Sequence, residues 1–448
     1  MIRGKESCLA VLAALMLAGC QDCSSLSDQA QNSSEPVEIL ICRWNNMDQN
    51  NEIMEDIIED FQRQYEGEIS LRMEVVPGLE NLIEHVRIKI ASGEIPDIID
   101  TSGYDLSYLV QNDNAIADLM PYVDEDPELR RWIGEENLRD NVSNGKLTSI
   151  TAQKNVIGYW YNKELFEQAD IRPAETWEEF WDNCEKLRSK DIWPMSLDTR
   201  QSAWPTNILL GAIVGSDGAE GTKFMQSYHP TDYSFPGMIN GLARIQTCFQ
   251  KYAPPGAITA NYAIAESEFF SGNAAMFFNG AWLALDMTDP EKVPEGFSDK
   301  IGAAAYPGEV VYSSASPGYV VGNNGPERVA AAVKFIKYMC SPKVQERIAL
   351  EIKAVPVNPD TDLTRLQEEN PLMYEMMAVA ENAQIQLKDY QAMWYSTVYN
   401  ASTELYPKMM YGLLTPEEVS SEMTRLAGEG QKKQVMHRKT QVLDNNCR

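Results

Sequence analysis

Aromatic, amide and hydroxyl side chains follow two apolar strands that the sequence predicts near its beginning. The first strand is Val37–Cys42, and the second is the short segment Pro96–Asp100. The residues at and after their ends are Trp44, Asn45, Asn46, Asp100, Thr101 and Ser102. Planar rings stack on C–H faces, while amide, hydroxyl and carboxylate groups make directional hydrogen bonds. These residue types therefore indicate a binding site for a small polar ligand.

The elements around these residues predict an α/β unit. Apolar residues recur at helical spacing over Ile53–Phe61 and Leu82–Ile90, with a strand at Ser70–Val76 between them. This alternating order is typical of a mainly parallel sheet covered by helices. Such sheets bind ligands at the carboxyl ends of their strands, where the residues above lie. A second unit starts near Thr148 and has its own strand at Val156–Tyr161.

The first twenty residues predict a secreted protein with a lipid anchor. A basic start, with Arg3 and Lys5, precedes the apolar run Cys8–Leu17. A run of about 10 residues spans about 15 Å as a helix, half the thickness of a bilayer core, which is typical of a secretory signal. The segment Leu17–Cys20 resembles the lipobox of bacterial lipoproteins, in which the cysteine is acylated and the chain is cut ahead of it.

We therefore expect a lipoprotein signal peptide at residues 1–20 and a flexible tether at residues 21–36, which are rich in Ser, Gln, Asn and Asp. Cys20 is the expected lipidation site, with Cys23 as a competing acceptor. Two or more acyl chains hold a protein stably at a membrane surface. This predicts an extracytoplasmic protein anchored to the bacterial cell membrane through its lipid alone.

Composition excludes several classes of partner. The chain has 448 residues, and its 66 acidic residues outnumber its 38 basic ones, which gives a formal charge of −28. A charge of this sign repels nucleic-acid phosphates and anionic lipid headgroups. We therefore expect no nucleic-acid partner, and we expect self-repulsion to favour a monomer.

The cysteines and histidines do not form a metal-binding pattern in the sequence. Four cysteines lie singly within apolar or helical stretches, where cysteine behaves as a small buried hydrophobe: Cys42, Cys184, Cys248 and Cys340. The histidines are scattered along the chain as His85, His229 and His437. The sequence therefore predicts free buried thiols, no metal site and no cofactor.

Four sequence blocks resemble, in the right order, the extracellular solute-binding proteins of family 1, which are the receptors of carbohydrate ABC importers. The blocks are Ala91–Asp97, Gly158–Phe166 with its continuation Thr176–Phe180, Phe270–Trp282 and Ala331–Pro342. The likeness extends from about residue 37 to about residue 428. Asp170 departs from the pattern, because the family usually has glycine there.

The resemblance implies an α/β, two-lobed fold of the periplasmic-binding-protein type II, with a hinge of crossing segments. Lobe 1 would comprise residues 37–150 and 320–355, and lobe 2 would comprise residues 151–319 and 356–428. The basic residues 429–448 are expected to be disordered. The function it implies is capture of a sugar between the lobes and delivery to ABC permease subunits, with no enzymatic activity. No phosphate-binding loop occurs in the sequence, so the ATPase would be another chain.

The family blocks also imply further ligand contacts. The positions that match are Trp44, Trp204, Trp282, Gly318, Tyr319 and Trp394. Two candidate positions depart from the family: Asn155 falls where some members have an acidic contact, and Thr101 where the maltose-binding relatives have tryptophan. An amide-rich site suits neutral hydroxyls, so the resemblance does not specify maltose.

Two alternatives remain open at this level. The same fold could bind a peptide, a polyamine or a phosphate ester, although Arg43 and Arg200 are the only basic residues near the expected cleft, which disfavours anions. A secreted glycoside hydrolase would need two carboxylates across the scissile bond, for which Asp97 and Asp100 are a chance pair.

Overall fold

The computed structural model describes residues 35–45, 48–101, 115–143, 145–315 and 318–446. The predicted signal peptide, Cys20 and nearly all of the predicted tether lie outside these residues, as do Asn46 and Ser102.

Strands and helices alternate through most of the described chain. The strands are β1 (Val37–Asn45), β2 (Ile69–Pro77), β3 (Ile98–Asp100), β4 (Val142–Ser143), β5 (Lys146–Leu147), β6 (Gln153–Asn162), β7 (Trp193–Ser196), β8 (Ala274–Gly280), β9 (Ile301–Ala304), β10 (Val310–Ala315), β11 (Tyr319–Val321), β12 (Val355–Pro356) and β13 (Ile385–Leu387). The helices of the first half are α1 (Asp48–Gln64), α2 (Leu79–Ser92), α3 (Met120–Asp124), α4 (Pro127–Ile133), α5 (Glu135–Asp140), α6 (Lys163–Gln168), α7 (Trp177–Ser189), α8 (Trp204–Gly215) and α9 (Gly218–Met225). Those of the second half are α10 (Pro236–Thr247), α11 (Tyr262–Phe270), α12 (Leu283–Asp286), α13 (Pro326–Met339), α14 (Pro342–Arg347), α15 (Thr364–Glu369), α16 (Pro371–Glu381), α17 (Tyr390–Met393), α18 (Ser396–Tyr399), α19 (Ser402–Met410) and α20 (Pro416–Asn446).

The first sheet has the strand order β11-β3-β1-β2 and forms the centre of lobe 1. Strand β1 pairs in parallel with β2 and with β3, as the sequence predicts, and β11 is added antiparallel to β3. Alternate residues of β1 face opposite sides: Ile39 and Ile41 belong to the core shared with α1 and α13, while Cys42 lies in a smaller core with residues of α2. Helices therefore cover both faces of the first sheet.

The second sheet is mixed and forms the centre of lobe 2, with the order β13-β10-β6-β8-β7. Its long central strand β6 pairs antiparallel with β8, β9, β10 and β12, whereas β7 runs parallel to β8. Ile157 and Tyr159 face one hydrophobic core, and Val156 and Trp160 face another on the opposite side. Helix α7 begins with an N-terminal cap, because Glu179 donates its backbone N–H to Thr176 Oγ1 at 3.2 Å.

The chain passes between the two sheets in segments that lie side by side. Tyr319 and Ile150 exchange backbone hydrogen bonds of 2.8 and 3.1 Å. A Cβ atom added to Gly318 would lie 2.2 Å from the Ile150 carbonyl oxygen, so only glycine permits this approach. Tyr319 pairs with Asp100 in the first sheet, and β12 pairs with β6 in the second. These pairings differ from the predicted boundaries, which assigned residue 319 to lobe 2 and residue 355 to lobe 1.

The buried side chain of Gln345 joins two crossing segments to the helices of lobe 1. Its Nε2 donates to the carbonyl oxygens of Ala152 and Met339, both at 2.8 Å. Its Oε1 accepts from the backbone N–H groups of Val357 and Asn358 at 2.7 and 3.3 Å. One amide thus satisfies three backbone groups of the crossing segments and the carbonyl at the end of α13.

The C-terminal residues differ from the expectation of disorder from residue 429. Helix α20 continues without interruption to Asn446. Gly430 lies within this helix and serves packing, because a Cβ atom there would lie 2.7 Å from the ring of Tyr395 and 2.8 Å from Thr397 Oγ1. Within the described residues, no helix combines the length and the apolar content that crossing a membrane requires.

Replacement of Gln345 by leucine, which has a similar volume, is predicted to destabilise the protein by about 3–5 kcal/mol, because it leaves several buried backbone groups without partners. Urea unfolding of both proteins measures this free energy. The control is Gln226→Leu: that side chain is exposed and makes one hydrogen bond, to Gln386 O at 3.2 Å, so its loss should cost less than about 0.5 kcal/mol. Equal stability of the two variants would contradict the assigned role of Gln345.

Candidate functional site

Strand ends from both sheets lie next to the crossing segments. In the first sheet the parallel strands β1, β2 and β3 end on one edge, and β11 begins on that edge because Tyr319 pairs with Asp100. In the second sheet β8 ends at Gly280, which pairs with Ile157 near the start of β6. The parallel neighbour β7 ends on the same edge. Both carboxyl-terminal edges are therefore adjacent to the crossing, where α/β folds bind their ligands.

Two predicted aromatic residues meet at the edge of the second sheet. The rings of Trp204 and Trp282 have centroids 5.7 Å apart and are tilted by 56°. Trp282 is 36% exposed, an unusual solvent exposure for an indole, and Trp204 is half-buried at the start of α8. The aromatic pair, Trp204 and Trp282, therefore offers a partly open apolar surface.

The end of β8 fixes the Trp282 indole. A Cβ atom at Gly280 would lie 2.3 Å from that ring, so the indole lies directly against the glycine backbone. The buried Trp160 donates its Nε1–H to Gly280 O at 3.1 Å. The Asn279 side chain accepts from Gly280 N and donates to the Tyr262 hydroxyl, both at 2.8 Å. Asn279 and Tyr262 were not predicted as site residues, although Asn279 lies within the recognised block Phe270–Trp282.

Acidic side chains lie beside this turn. Burial and the nearby Asp286 carboxylate raise the pKa of Glu266, which lies next to Tyr262. Lys292 Nζ lies 2.5 Å from Asp286 Oδ1, so one of the two negative charges has a cationic partner. Glu266 therefore offers a hydrogen-bond acceptor beside Tyr262, and the charge of Asp286 is balanced by Lys292.

A buried ion pair lies at the edge of the first sheet. Arg43 Nε is 3.5 Å from Asp100 Oδ2, and both residues are almost fully buried beside Tyr319. Nε and Nη1 of Arg43 have no hydrogen-bond partner. Burial and the Asp100 charge raise the pKa of Tyr319 well above its ordinary value. The predicted residues Asp100, Thr101, Gly318 and Tyr319 are brought together here, with a 3.2 Å bond from Thr101 N to Gly318 O.

The remaining predicted residues have different positions. Trp394 is 1% exposed within the core of lobe 2, with its ring centroid 5.3 Å from that of Tyr233 and 5.5 Å from that of Tyr390. It packs in the core and does not reach the aromatic pair. Asn155 is half-buried on β6 opposite Ser314. Trp44 and Asn45 are described only through their backbone, at the end of β1.

The carboxylate pair considered for hydrolysis is not assembled. Asp97 is buried and accepts hydrogen bonds from Leu40 N at 2.8 Å, Asn324 Nδ2 at 2.8 Å and Arg328 Nε at 2.7 Å. It precedes β3, whereas Asp100 ends that strand about 10 Å further along it. Asp97 therefore has a structural role at the opposite edge of the sheet.

The four described cysteines Cys42, Cys184, Cys248 and Cys340 are free and buried, as the sequence predicts. Burial raises the pKa of the Cys340 thiol to about 12. A thiol of this kind is protonated at neutral pH and packs as an apolar group.

A buried carboxylate lies between β7 and the helix that carries Trp204. Asp198 is 1% exposed, and neither of its carboxylate oxygens has a hydrogen-bond partner. Its backbone is held by Thr206, whose Oγ1 donates to Asp198 O at 2.6 Å. Burial raises the pKa of this carboxyl to about 7. Nothing in the sequence indicates this burial, because aspartate is mostly found exposed to solvent.

The family model and the named relative that match this chain both represent solute-binding proteins. A model of the bacterial extracellular solute-binding proteins matches residues 56–375. The multiple sugar-binding protein of Streptococcus mutans is 23% identical over 355 residues, which are 75% of this chain and 78% of that protein.

Solved structures show the same two-lobed fold. A chitin oligosaccharide binding protein superposes with a TM-score of 0.72 at 21% identity, over 89% of this chain and 99% of the other. The sugar-binding protein MalE of Xanthomonas citri superposes with a TM-score of 0.73 at 16% identity, over 90% and 99% of the two chains. The predicted α/β architecture is thereby confirmed.

The raised pKa of Asp198 predicts a specific pH dependence of stability. Between the unfolded pKa of about 3.9 and the folded value of about 7, the folded state binds more protons, so stability falls as pH rises. Asp198→Asn removes this loss, and its stability relative to the parent should increase by about 2–3 kcal/mol from pH 5 to pH 8. Urea unfolding at both pH values measures the difference. Asp182, which is exposed, provides the control. Asp182→Asn should change the free energy of unfolding by the same amount at both pH values.

Proposed function

We propose, since this chain belongs to the bacterial extracellular solute-binding protein family, that it is the substrate-binding lipoprotein of an ABC importer. It captures a sugar or oligosaccharide between its two lobes and delivers it to the membrane permease subunits. The observation that carries the proposal is the partly exposed aromatic pair at the strand ends beside the crossing segments. An indole face suits the C–H surface of a pyranose ring.

The chemistry around the aromatic pair favours a neutral solute. Arg43, one of the two cations considered near the cleft, is buried against Asp100 and does not offer an open anion site. On the lobe 2 side, Asp286 is paired with Lys292. The relatives named above include two whose names refer to sugars and one whose name refers to a chitin oligosaccharide, which supports a carbohydrate ligand.

The two edges are proposed to close on the ligand by rotation about the crossing segments. A ligand shifts such an equilibrium only through contacts that it makes better in the closed form. The aromatic pair would supply those contacts from lobe 2. Trp44, Asn45, Asn46, Thr101 and Ser102 would supply them from lobe 1. The receptor performs no chemistry itself; transport energy would come from a separate ATPase.

The first prediction is a ligand-specific thermal shift. A soluble form beginning at Pro36 is melted in the presence of single mono- and oligosaccharides, peptides or polyamines. Binding to the native state stabilises it by about 2.7 kcal/mol at a hundredfold excess over Kd, which raises the midpoint by a few degrees. We expect a shift with one class of sugar. A shift with peptides or polyamines alone, after denaturation and refolding to remove any carried ligand, would contradict the sugar assignment.

Two tryptophan variants separate the site from the core in that experiment. Trp282→Ala should weaken binding of the identified sugar by at least about tenfold with little change in the ligand-free midpoint. Trp394→Phe instead alters a fully buried ring and should lower the midpoint while the affinity stays near that of the parent. Loss of affinity in Trp394→Phe alone would move the site to the interior of lobe 2.

Lipid attachment is tested separately on the full chain in a bacterial host grown with labelled palmitate. The parent and Cys23→Ala should incorporate the label, whereas Cys20→Ala should not, because acylation requires the thiol at the cleavage site. Label that is retained in Cys20→Ala and lost in Cys23→Ala would assign the anchor to Cys23.

A further inference from the structure

Three potential metal ligands from distant positions in the sequence meet on the α2 side of the first sheet. They are Cys42 of β1, Glu74 of β2 and His85 of α2. One ligand atom from each, the cysteine Sγ, a carboxylate oxygen and an imidazole nitrogen, lies within 4.8 Å of the others. Cys42 and Glu74 are direct neighbours across the parallel strand pair, so the backbone itself holds two of the three.

The imidazole of His85 has a buried nitrogen that makes no hydrogen bond. His85 Nε2 lies 3.2 Å from Glu74 Oε1, yet this nitrogen is buried and makes no hydrogen bond of acceptable geometry. A buried polar atom without a partner is costly. A metal ion bound to Nε2 would satisfy it, because the metal takes the nitrogen lone pair and needs no N–H direction.

The distances suit a tetrahedral zinc ion. Bonds of 2.0–2.3 Å to sulfur, nitrogen and oxygen place neighbouring ligand atoms about 3.3–3.8 Å apart. The 3.2 Å separation of His85 Nε2 from Glu74 Oε1 is just below this range, and the upper limit of 4.8 Å for the three atoms requires a contraction of about 1 Å. Thiolate, imidazole and carboxylate together favour Zn²⁺ over Mg²⁺ or Ca²⁺, which prefer oxygen ligands.

We propose that Cys42, Glu74 and His85 form a zinc site, with water as the fourth ligand. Cys42 is fully buried while His85 and Glu74 are half-exposed, so the sulfur would form the base of the site and solvent would reach the opposite side. Binding replaces the thiol S–H bond by an S–Zn bond and releases the proton to water. The positive charge of Lys89 on α2 would repel a metal ion bound here. Lys89 Nζ lies 3.7 Å from Glu94 Oε2, and this carboxylate offsets the repulsion.

The metal would fasten α2 to the sheet close to the end of β1. Cys42 faces the opposite side of the first sheet from Arg43, because side chains of neighbouring strand residues alternate between the two faces. The expectation of no metal site was based on histidine spacing in the sequence. The ligands are 32 and 11 residues apart, and only the strand pairing and the packing of α2 bring them together.

The test uses the purified full chain, stripped with a chelator, and Zn²⁺ or Co²⁺ as the probe. We expect one zinc ion per chain by competition with a chromophoric chelator. Co²⁺ should give a thiolate-to-metal charge-transfer band together with the visible bands of four-coordinate cobalt. Zinc should also raise the melting midpoint, because it binds the native state.

Variants decide whether these three residues are responsible. His85→Gln and Glu74→Gln alter half-exposed side chains, and each should weaken zinc binding by at least about tenfold. Cys42→Ala should abolish the charge-transfer band, whereas the control Cys340→Ala, an equally buried thiol of the same lobe, should retain it. Absence of the band in the parent, or unchanged zinc affinity in His85→Gln, would overturn the proposal. Because neither readout involves sugar, failure here leaves the proposed transport function unaffected.

Discussion

The architecture depends on hydrogen bonding of the backbone where the chain passes between the two sheets. These segments leave one sheet before they enter the other, so their amide and carbonyl groups lack regular ladder partners, and burial without partners would cost free energy at each. The protein meets this constraint in two ways. Gly318 lets one segment approach the Ile150 carbonyl closely enough to pair, and the Gln345 side chain bonds two others. Residues of the crossing thereby join both sheets.

The same crossing explains why the candidate site lies where it does. It brings the carboxyl ends of β1 and β3 to the edge at which β11 begins, and the ends of β7 and β8 to the edge at which β6 begins. On the first edge, Asp100 and Arg43 neutralise each other. On the second edge, Trp282 is exposed because Gly280 leaves room for its ring against the backbone. In the proposed site, the Arg43–Asp100 ion pair on one edge and the aromatic pair on the other would favour an uncharged ligand.

Several buried polar groups of the described residues lack hydrogen-bond partners, and Asp198 and His85 are two of them besides Arg43. Asp198 is enclosed between β7 and α8, and His85 Nε2 lies between α2 and the first sheet. Burial of either group without a partner lowers the stability of the folded state. The two groups can reduce this loss in different ways. Asp198 becomes neutral by taking up a proton, whereas His85 lies next to a thiol and a carboxylate with which it can share a metal. Such groups are informative because ordinary packing does not account for them.

The sequence by itself determined the local elements and the family. The alternation of apolar strands with helical spacing, the capping box at Thr176 and the ordered blocks around Phe270–Trp282 were sufficient for the two-lobed α/β fold, because each depends on residues close together in the chain. Among the candidate site residues it pointed to Trp204, Trp282 and Asp100, which the structure places at the sheet edges beside the crossing segments. Only the tertiary structure decided the rest. It buried Trp394 in the lobe 2 core, continued α20 beyond Gly430, and paired residues 319 and 355 with the sheets opposite to those expected. It also brought Cys42, Glu74 and His85 together. These outcomes depend on contacts between residues far apart in sequence, and local periodicity contains no information about which distant surfaces will meet.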